Sequence, residues 1–279
     1  MDFQEILYQR EGAVRIIQIN RPDVRNCIGP RTHTELIAAW NLFREDDTAS
    51  VAIITGAGDK AFCSGADLRH VAELVPSTPA EIAANNRGER PGYLGPSRWC
   101  DLYKPVIAAI NGVAYAGGLE WACWADMRIA EEQASFGVTC RRWNIGLADG
   151  GTVRLPRIVG MGRALELIIT GRVIGAVEAE RIGLVNEIVP RGKSLERALE
   201  LARFICALPQ EAIRTDKESV MRGYNAPLPE AMRIEAECFN RLVGSSDMQE
   251  GLRRFLERDH PDRRGGSDAA PLTPGLVRG

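Results

Sequence analysis

The chain reads as an α/β protein, and three observations carry that reading. Short apolar, largely β-branched runs recur at strand length: Val14–Ile19, Val51–Thr55 and Pro105–Ile110. Helical spacing alternates with them, as in Leu36, Trp40 and Phe43 within 31–44. From Val153 onward the pattern is helical almost without a break.

Taken in order, Val14–Ile19 is a strand that Asn20-Arg21-Pro22 stops, and a helix follows over 31–44. Val51–Thr55 is a second, buried strand. Gly56-Ala57-Gly58-Asp59-Lys60-Ala61 then matches G-x-G-x-x-A formally. That dinucleotide fingerprint needs a helix to open in the glycine loop, whereas Phe62-Cys63-Ser64-Gly65 brings another turn, so the segment reads as a tight turn. In Ser64-Gly65-Ala66-Asp67-Leu68, a permissive glycine precedes an N–H that can face a pocket, with a helix starting near Asp67; the plain alternative is Asp67 capping that helix. The Pro- and Gly-rich run Pro76–Ser97 reads as a mobile loop beside a pocket, helical only over Pro79–Arg87, and Trp99–Tyr103 as a short helix.

The stretch Lys104–Asp126 organises the rest. Its strand ends at Asn111-Gly112, and Gly117-Gly118 precedes a dense apolar segment holding one charge, Glu120. A helix starting at a Gly pair offers bare N–H groups and a positive dipole end, suited to an anion or a developing oxyanion. A carboxylate three residues after Gly117 lies about one turn from those donors. Donors and base thus share one segment; the alternative is a packing contact with Glu120 on the surface. Beyond it, Met127–Ala130 is a strand, Ala176–Ile182 a short helix and Leu184–Val189 an extended exit. Helices fit Ser194–Ala207, Gln210–Arg222, Pro229–Leu242 and Asp247–Glu257. The sequence divides into a core over 1–192, a helical region over 193–258 with too few apolar residues for a large core of its own, and a flexible tail over 259–279.

Composition narrows the function. With 35 basic and 37 acidic residues the net charge is −2, which argues against a general nucleic-acid binder. No apolar run approaches the ~20 residues that span a bilayer, so no membrane partner is expected. The amino-terminal MDFQEILYQR lacks an apolar signal core, and a cytoplasmic location is the expectation. Seven scattered cysteines without a C-x-x-C pair, and three histidines far apart, predict reduced thiols and no metal site.

The ordered set Asn20-Arg21-Pro22 with Arg25-Asn26, Thr55-Gly56, Ala61–Leu68, Lys104-Pro105 through Asn111-Gly112 and Gly117-Gly118-Leu119-Glu120 resembles the crotonase superfamily, the enoyl-CoA hydratase/isomerase fold. Asp126–Ala130, Phe136-Gly137, Gly150-Gly151-Thr152, Arg154-Leu155-Pro156, Thr170-Gly171-Arg172 and Gly183–Asn186 extend the likeness, which covers about residues 10 to 258. It implies a crotonase-like spiral of ββα turns and a helical C-terminal region that builds a homotrimer or hexamer. The implied ligand is an acyl-CoA thioester, with coenzyme A as part of the substrate and no other cofactor.

By resemblance, the N–H groups of Ala66 and Gly117 form the oxyanion hole, and Glu120 is the general acid/base. Gly65 and Gly118 would let the backbone approach the ligand, and Val24, Asp67 and Leu68 would help bind it. Arg25 and Arg69 are candidates for the coenzyme A phosphates, joined by Lys217, Arg253 or Arg254 from the C-terminal helices. The family's hydratases use a second glutamate, four residues after Phe136, where this chain has Cys140. A buried neutral thiol is a poor acid near neutral pH. Asp149, near a position where some isomerases of the family carry a catalytic aspartate, is the candidate substitute; its plain alternative is a turn residue. Cys140, beside Arg141-Arg142, is either an activated nucleophile or an inert buried thiol. The expected function is therefore enolate chemistry on an acyl-CoA, of hydratase or isomerase type. The alternatives are a weakened acyl-CoA binding protein, an isomerase using Asp149, and a Cys140-dependent thioesterase.

Overall fold

The computed structural model describes residues 2–258. Two compact units emerge, one running to Gln210 and one beginning at Glu211. In the first, β1 (Ile6–Glu11) pairs antiparallel with β2 (Val14–Ile19). Helix α1 (Pro30–Glu45) crosses over to β3 (Val51–Gly56), which lies parallel to β2 and is buried along its whole length. A parallel strand covered on both faces must be apolar throughout, which is why 51–55 shows no alternation.

From β3 the chain repeats one device, a strand in a large sheet followed by a short strand in a small one. The pairs are β3 with β4 (Ala61–Cys63), β5 (Val106–Ile110) with β6 (Val113–Tyr115), and β7 (Met127–Glu131) with β8 (Ser135–Gly137). Between β4 and β5 lie α2 (Val71–Leu74) and α3 (Pro79–Asn86). Helix α4 (Gly117–Trp124) follows β6, and α5 (Gly151–Val159) and α6 (Met161–Thr170) follow β8. Then come β9 (Val173–Gly175), α7 (Ala176–Arg181), β10 (Glu187–Val189) and α8 (Ser194–Cys206). The large sheet has the order β1-β2-β3-β5-β7-β10 and the small one β4-β6-β8-β9. This is the expected spiral of ββα turns.

Helix α8 packs on β2, β3, β5 and β7, burying Ala198, Ala202 and Ile205, and so belongs to the first unit. The second unit contains most of α9 (Gln210–Gly223), with α10 (Leu228–Leu242) and α11 (Ser246–Arg258). The expected tail, 259–279, lies outside the described residues. No described helix is long and apolar enough to cross a membrane.

Two expectations need correction. Trp99–Tyr103 is not helical: the Trp99 carbonyl is taken by the side chains of Trp124 (3.1 Å) and Arg154 (3.3 Å) instead of a backbone N–H one turn on. The second half of Pro76–Ser97 is no free loop either. Gly92, Leu94, Gly95, Pro96 and Ser97 are buried, and Leu94, Gly95 and Ser97 are bonded to His33, Trp121, Asp149 and Arg154, as described below.

Candidate active site

Strands β4, β6 and β8 are parallel neighbours, so their carboxyl ends lie side by side. The segments leaving those ends carry Gly65-Ala66, then Gly117 at the start of α4, then Cys140 in a 3₁₀ turn over Thr139–Trp143. Three stretches far apart in sequence are thereby brought to one rim.

At this rim Gly65 adopts φ +97°, and a Cβ on it would lie 3.0 Å from the Gly117 nitrogen and 3.1 Å from the Tyr115 oxygen. Only a glycine permits so close an approach in that conformation. Ala66 forms a parallel bridge with Ile28: the Ile28 N–H donates to Gly65 O (2.8 Å) and Asp67 N–H to Ile28 O (2.9 Å). In an extended strand successive N–H groups alternate, so the N–H of Ala66 faces away from Ile28. Ala116 precedes α4 at φ +49°, costly for a residue with a Cβ, and its N–H donates to Gly137 O at 2.9 Å. Among the described residues, the N–H groups of Ala66 and Gly117 have no acceptor.

Glu120, one turn into α4, is only 2% exposed. Its Oε1 accepts from the N–H of Gly151 (2.7 Å) and of Asp149 (2.8 Å). Burial, followed by the nearby charge of Asp149, pushes the Glu120 carboxyl up to about 7, against the lowering effect of those N–H donors. A carboxyl in that range both accepts and returns a proton near neutral pH. The surface alternative for Glu120 is thus excluded.

A cavity of about 340 Å³ opens here, with Ala66, Leu68, Gly117, Glu120, Cys140 and Asp149 in its wall. The remaining wall is largely apolar and comes from Val71, Leu74 and Val75 on one side and Trp143, Ile145 and Leu147 on the other. No Lys or Arg lines it.

Several predicted ligand contacts are not among the residues that line this cavity. Asp67 is buried in a clamp with Arg21 (3.1 Å) and Arg69 (3.0 Å), which holds its carboxyl well below the usual range, and it caps the 3₁₀ turn Leu68–His70. Its capping alternative therefore holds. Gly118 serves α4 against β4, because a Cβ there would overlap the Cys63 carbonyl. Val24 and Arg25 are outside the cavity wall, although the Arg25 carbonyl accepts from Ser64 N–H (3.1 Å) and Ser64 lines the cavity. Arg253 and Arg254 belong to the second unit and pair with Glu250 one turn away; Lys217 lies there too. Cys140 is buried, and burial raises its thiol above the ordinary value, outweighing the nearby Arg141. The net effect of these surroundings runs against an activated thiolate. Among the described residues no cluster of His, Cys, Asp or Glu is arranged to hold a metal.

Sequence reasoning missed Tyr93, Leu94 and Ser97. All three bond to Asp149 Oδ1: the Tyr93 N–H at 2.8 Å, the Leu94 N–H at 3.2 Å, and the Ser97 hydroxyl. The residues lie in a Pro/Gly-rich run without periodicity, which carries no local signal that could have found them. Leu94 occupies the space where a Gly117 side chain would stand.

The family model for enoyl-CoA hydratase/isomerase matches residues 9–265. A crotonyl-CoA hydratase of Syntrophomonas wolfei is 36% identical over 92% of this chain and 97% of its own length. An (E)-benzylidenesuccinyl-CoA hydratase of Thauera aromatica is 33% identical over 90% and 96%. The crystal structure of an enoyl-CoA hydratase from Bacillus anthracis superposes with a TM-score of 0.82 at 36% identity, covering 91% of this chain and 97% of that one. A carboxylate set beside a helix start in an apolar cavity is thus found on a crotonase fold, and the chain belongs to the enoyl-CoA hydratase/isomerase family as an enzyme of hydratase or isomerase type.

Proposed function

We propose that the chain hydrates 2-enoyl-CoA thioesters, with Glu120 as its acid/base and the N–H groups of Ala66 and Gly117 holding the thioester oxygen. The observation that carries this reading is the buried Glu120 carboxyl, raised to about 7, in the cavity those two residues line. Ionised Glu120 takes a proton from water while the water oxygen bonds to the β-carbon. The double-bond electrons move onto the thioester oxygen as an enolate. Glu120 then returns its proton to the α-carbon and the thioester re-forms. Two amide donors and the dipole of α4 stabilise the enolate oxygen, each amide by about 2.7–4 kcal/mol on the scale known for acyl transfer. The Gly151 and Asp149 N–H groups both bond to Oε1, which favours Oε2 as the atom that exchanges the proton.

Coenzyme A enters as part of the substrate, and the chemistry calls for no other cofactor. Its phosphates fit exposed Arg25 and Arg69, next in sequence to cavity-wall Leu68. The apolar wall without a cation suits an uncharged acyl chain. Exposed Leu228, Phe239 and Phe255 on the second unit support assembly as a homotrimer or hexamer.

Double-bond isomerisation is the second reading, favoured by one observation. Cys140 is a neutral thiol where the family's hydratases have a second glutamate, and a single carboxylate suffices to move a proton between two carbons. Assays with crotonyl-CoA and with a 3-enoyl-CoA, products separated by chromatography, distinguish the two. Full activity of Glu120→Ala on both substrates would remove Glu120 from either mechanism. Tight thioester binding without turnover of either would leave a binding protein.

A further inference from the structure

We propose that Asp149 is a positioning residue: its carboxylate locks the strap Gly92–Ser97 onto the site while its own N–H fixes the Glu120 carboxylate, so that one residue sets both the cavity wall and the base. This rests on Glu120 being the acid/base.

The carboxylate is 2% exposed, and a single oxygen, Oδ1, takes the N–H of Tyr93, the N–H of Leu94 and the Ser97 hydroxyl. Three donors on one oxygen tie this carboxylate to the strap. Gly92 makes room for it, since a Cβ at Gly92 would lie 2.9 Å from Asp149 Oδ1 and overlap the Ser97 hydroxyl. Two arginines fasten the same segments together. Arg98 donates to Ala148 O (2.8 Å), and Arg154 to Ser97 O (2.7 Å) and Asp149 O (3.1 Å). The far side of the strap is held by Trp121, whose indole donates to Leu94 O (2.8 Å), and by His33 Nδ1, which accepts from Gly95 N–H (2.9 Å). The strap so held places Leu94 directly over Gly117. Buried hydrogen bonds of this kind fix position because any unpaired member costs free energy.

The Asp149 charge also acts on Glu120, raising its pKa. The other titratable groups facing Glu120 are Cys123 of its own helix, Cys140 of the 3₁₀ turn and Arg154 of α5. Neutralising Asp149 therefore lets Glu120 ionise at lower pH.

Asparagine keeps the Oδ1 acceptor and removes the charge and any acid function. With crotonyl-CoA, Asp149→Asn is expected to keep kcat within about tenfold of the unchanged enzyme, with the acid limb of its pH profile at lower pH. Asp149→Ala, which strips the strap of its acceptor, is expected to lose far more, so that asparagine rescues it. A loss of ~10²–10⁴ in kcat for a folded Asp149→Asn would mark a proton donor and overturn the proposal. Should the Asp149 variants fail to fold, Ser97→Ala decides. A several-fold fall in kcat supports the strap, and wild-type kcat and pH profile refute it. Glu120→Gln run alongside separates the two claims: its full activity sinks the Glu120 reading, whatever the Asp149 series gives.

Discussion

Gly118 lies against the main chain of Cys63 so tightly that a single added carbon would overlap the Cys63 carbonyl. The obstacle is backbone and cannot swing aside. Gly118→Ala is expected to lower unfolding stability by at least the ~1–3 kcal/mol typical of overpacking, in spite of alanine's better helix propensity. At Gly117 the new carbon would meet the end of the Leu94 side chain, with the nearest backbone, Gly65 Cα, at 3.4 Å. Gly117→Ala should therefore fold with a near-normal urea midpoint yet lose kcat/KM on crotonyl-CoA. Equal loss of stability in the two variants would contradict this.

Glu120 couples activity and stability to pH with opposite signs. Its folded pKa, about 7, lies above the usual carboxylate value of 4.5, so the folded state holds a proton that the unfolded chain releases. Its contribution to stability is therefore present below the unfolded value and falls as pH rises through about 7, by on the order of 3 kcal/mol in all. Activity that needs the ionised form rises over the same interval. Denaturant titrations from pH 5 to 8 should show this decline flattened in Glu120→Gln, whose kcat should drop by ~10²–10⁴.

Cys140 should be dispensable. Its thiol is raised by burial, whereas Cys100 is exposed. Brief iodoacetamide treatment at neutral pH should label Cys100 first among the described cysteines, read by peptide mass mapping. Cys140→Ser should stay within a few-fold of full activity. Rapid adduct formation at Cys140, or an acyl-enzyme mass during turnover, would revive the thioesterase reading.

His33 holds Gly95 N–H only while Nδ1 is unprotonated. Burial lowers its pKa below the usual 6.5, so the unfolded chain takes up a proton at a pH where the folded one does not. Its stabilising effect is complete above the unfolded value and is lost as pH falls. Melting temperatures should drop between pH 7 and 5 more steeply with His33 than in His33→Gln.

Because no Lys or Arg lines the cavity, substrates with a carboxylate on the acyl chain should be disfavoured. Comparing kcat/KM for an uncharged enoyl-CoA and for a carboxylated one of equal length checks this. Parity between them would require a cation from outside the described cavity wall.

Much of the site was legible because it depends on main-chain geometry that glycines announce. Gly65 and Gly117, with Glu120 one turn on, mark candidate donors and a candidate base in the sequence, and the topology of β4 and β6 sets the two segments side by side. What stayed hidden was contributed by tertiary bonds with no local signature. Ser97 and Leu94 sit in a run whose prolines and glycines suggest looseness, yet Asp149, Trp121 and two arginines hold it. Trp99 failed as a helix residue for the same reason, since distant side chains claimed its carbonyl. Asp67 looked available to a ligand because sequence spacing cannot show that Arg21, forty-six positions away, pairs with it.

The indole of Trp121 stacks on Trp40 at 6.0 Å between ring centroids and meets Trp124 edge-on at 5.1 Å. Its one polar atom is bound to the carbonyl of Leu94, the residue that fills the space a Gly117 side chain would take. A ligand that displaces Leu94 is therefore expected to perturb the aromatic triplet, which would give the protein its own optical gauge of occupancy, readable as a change in intrinsic emission without any added label.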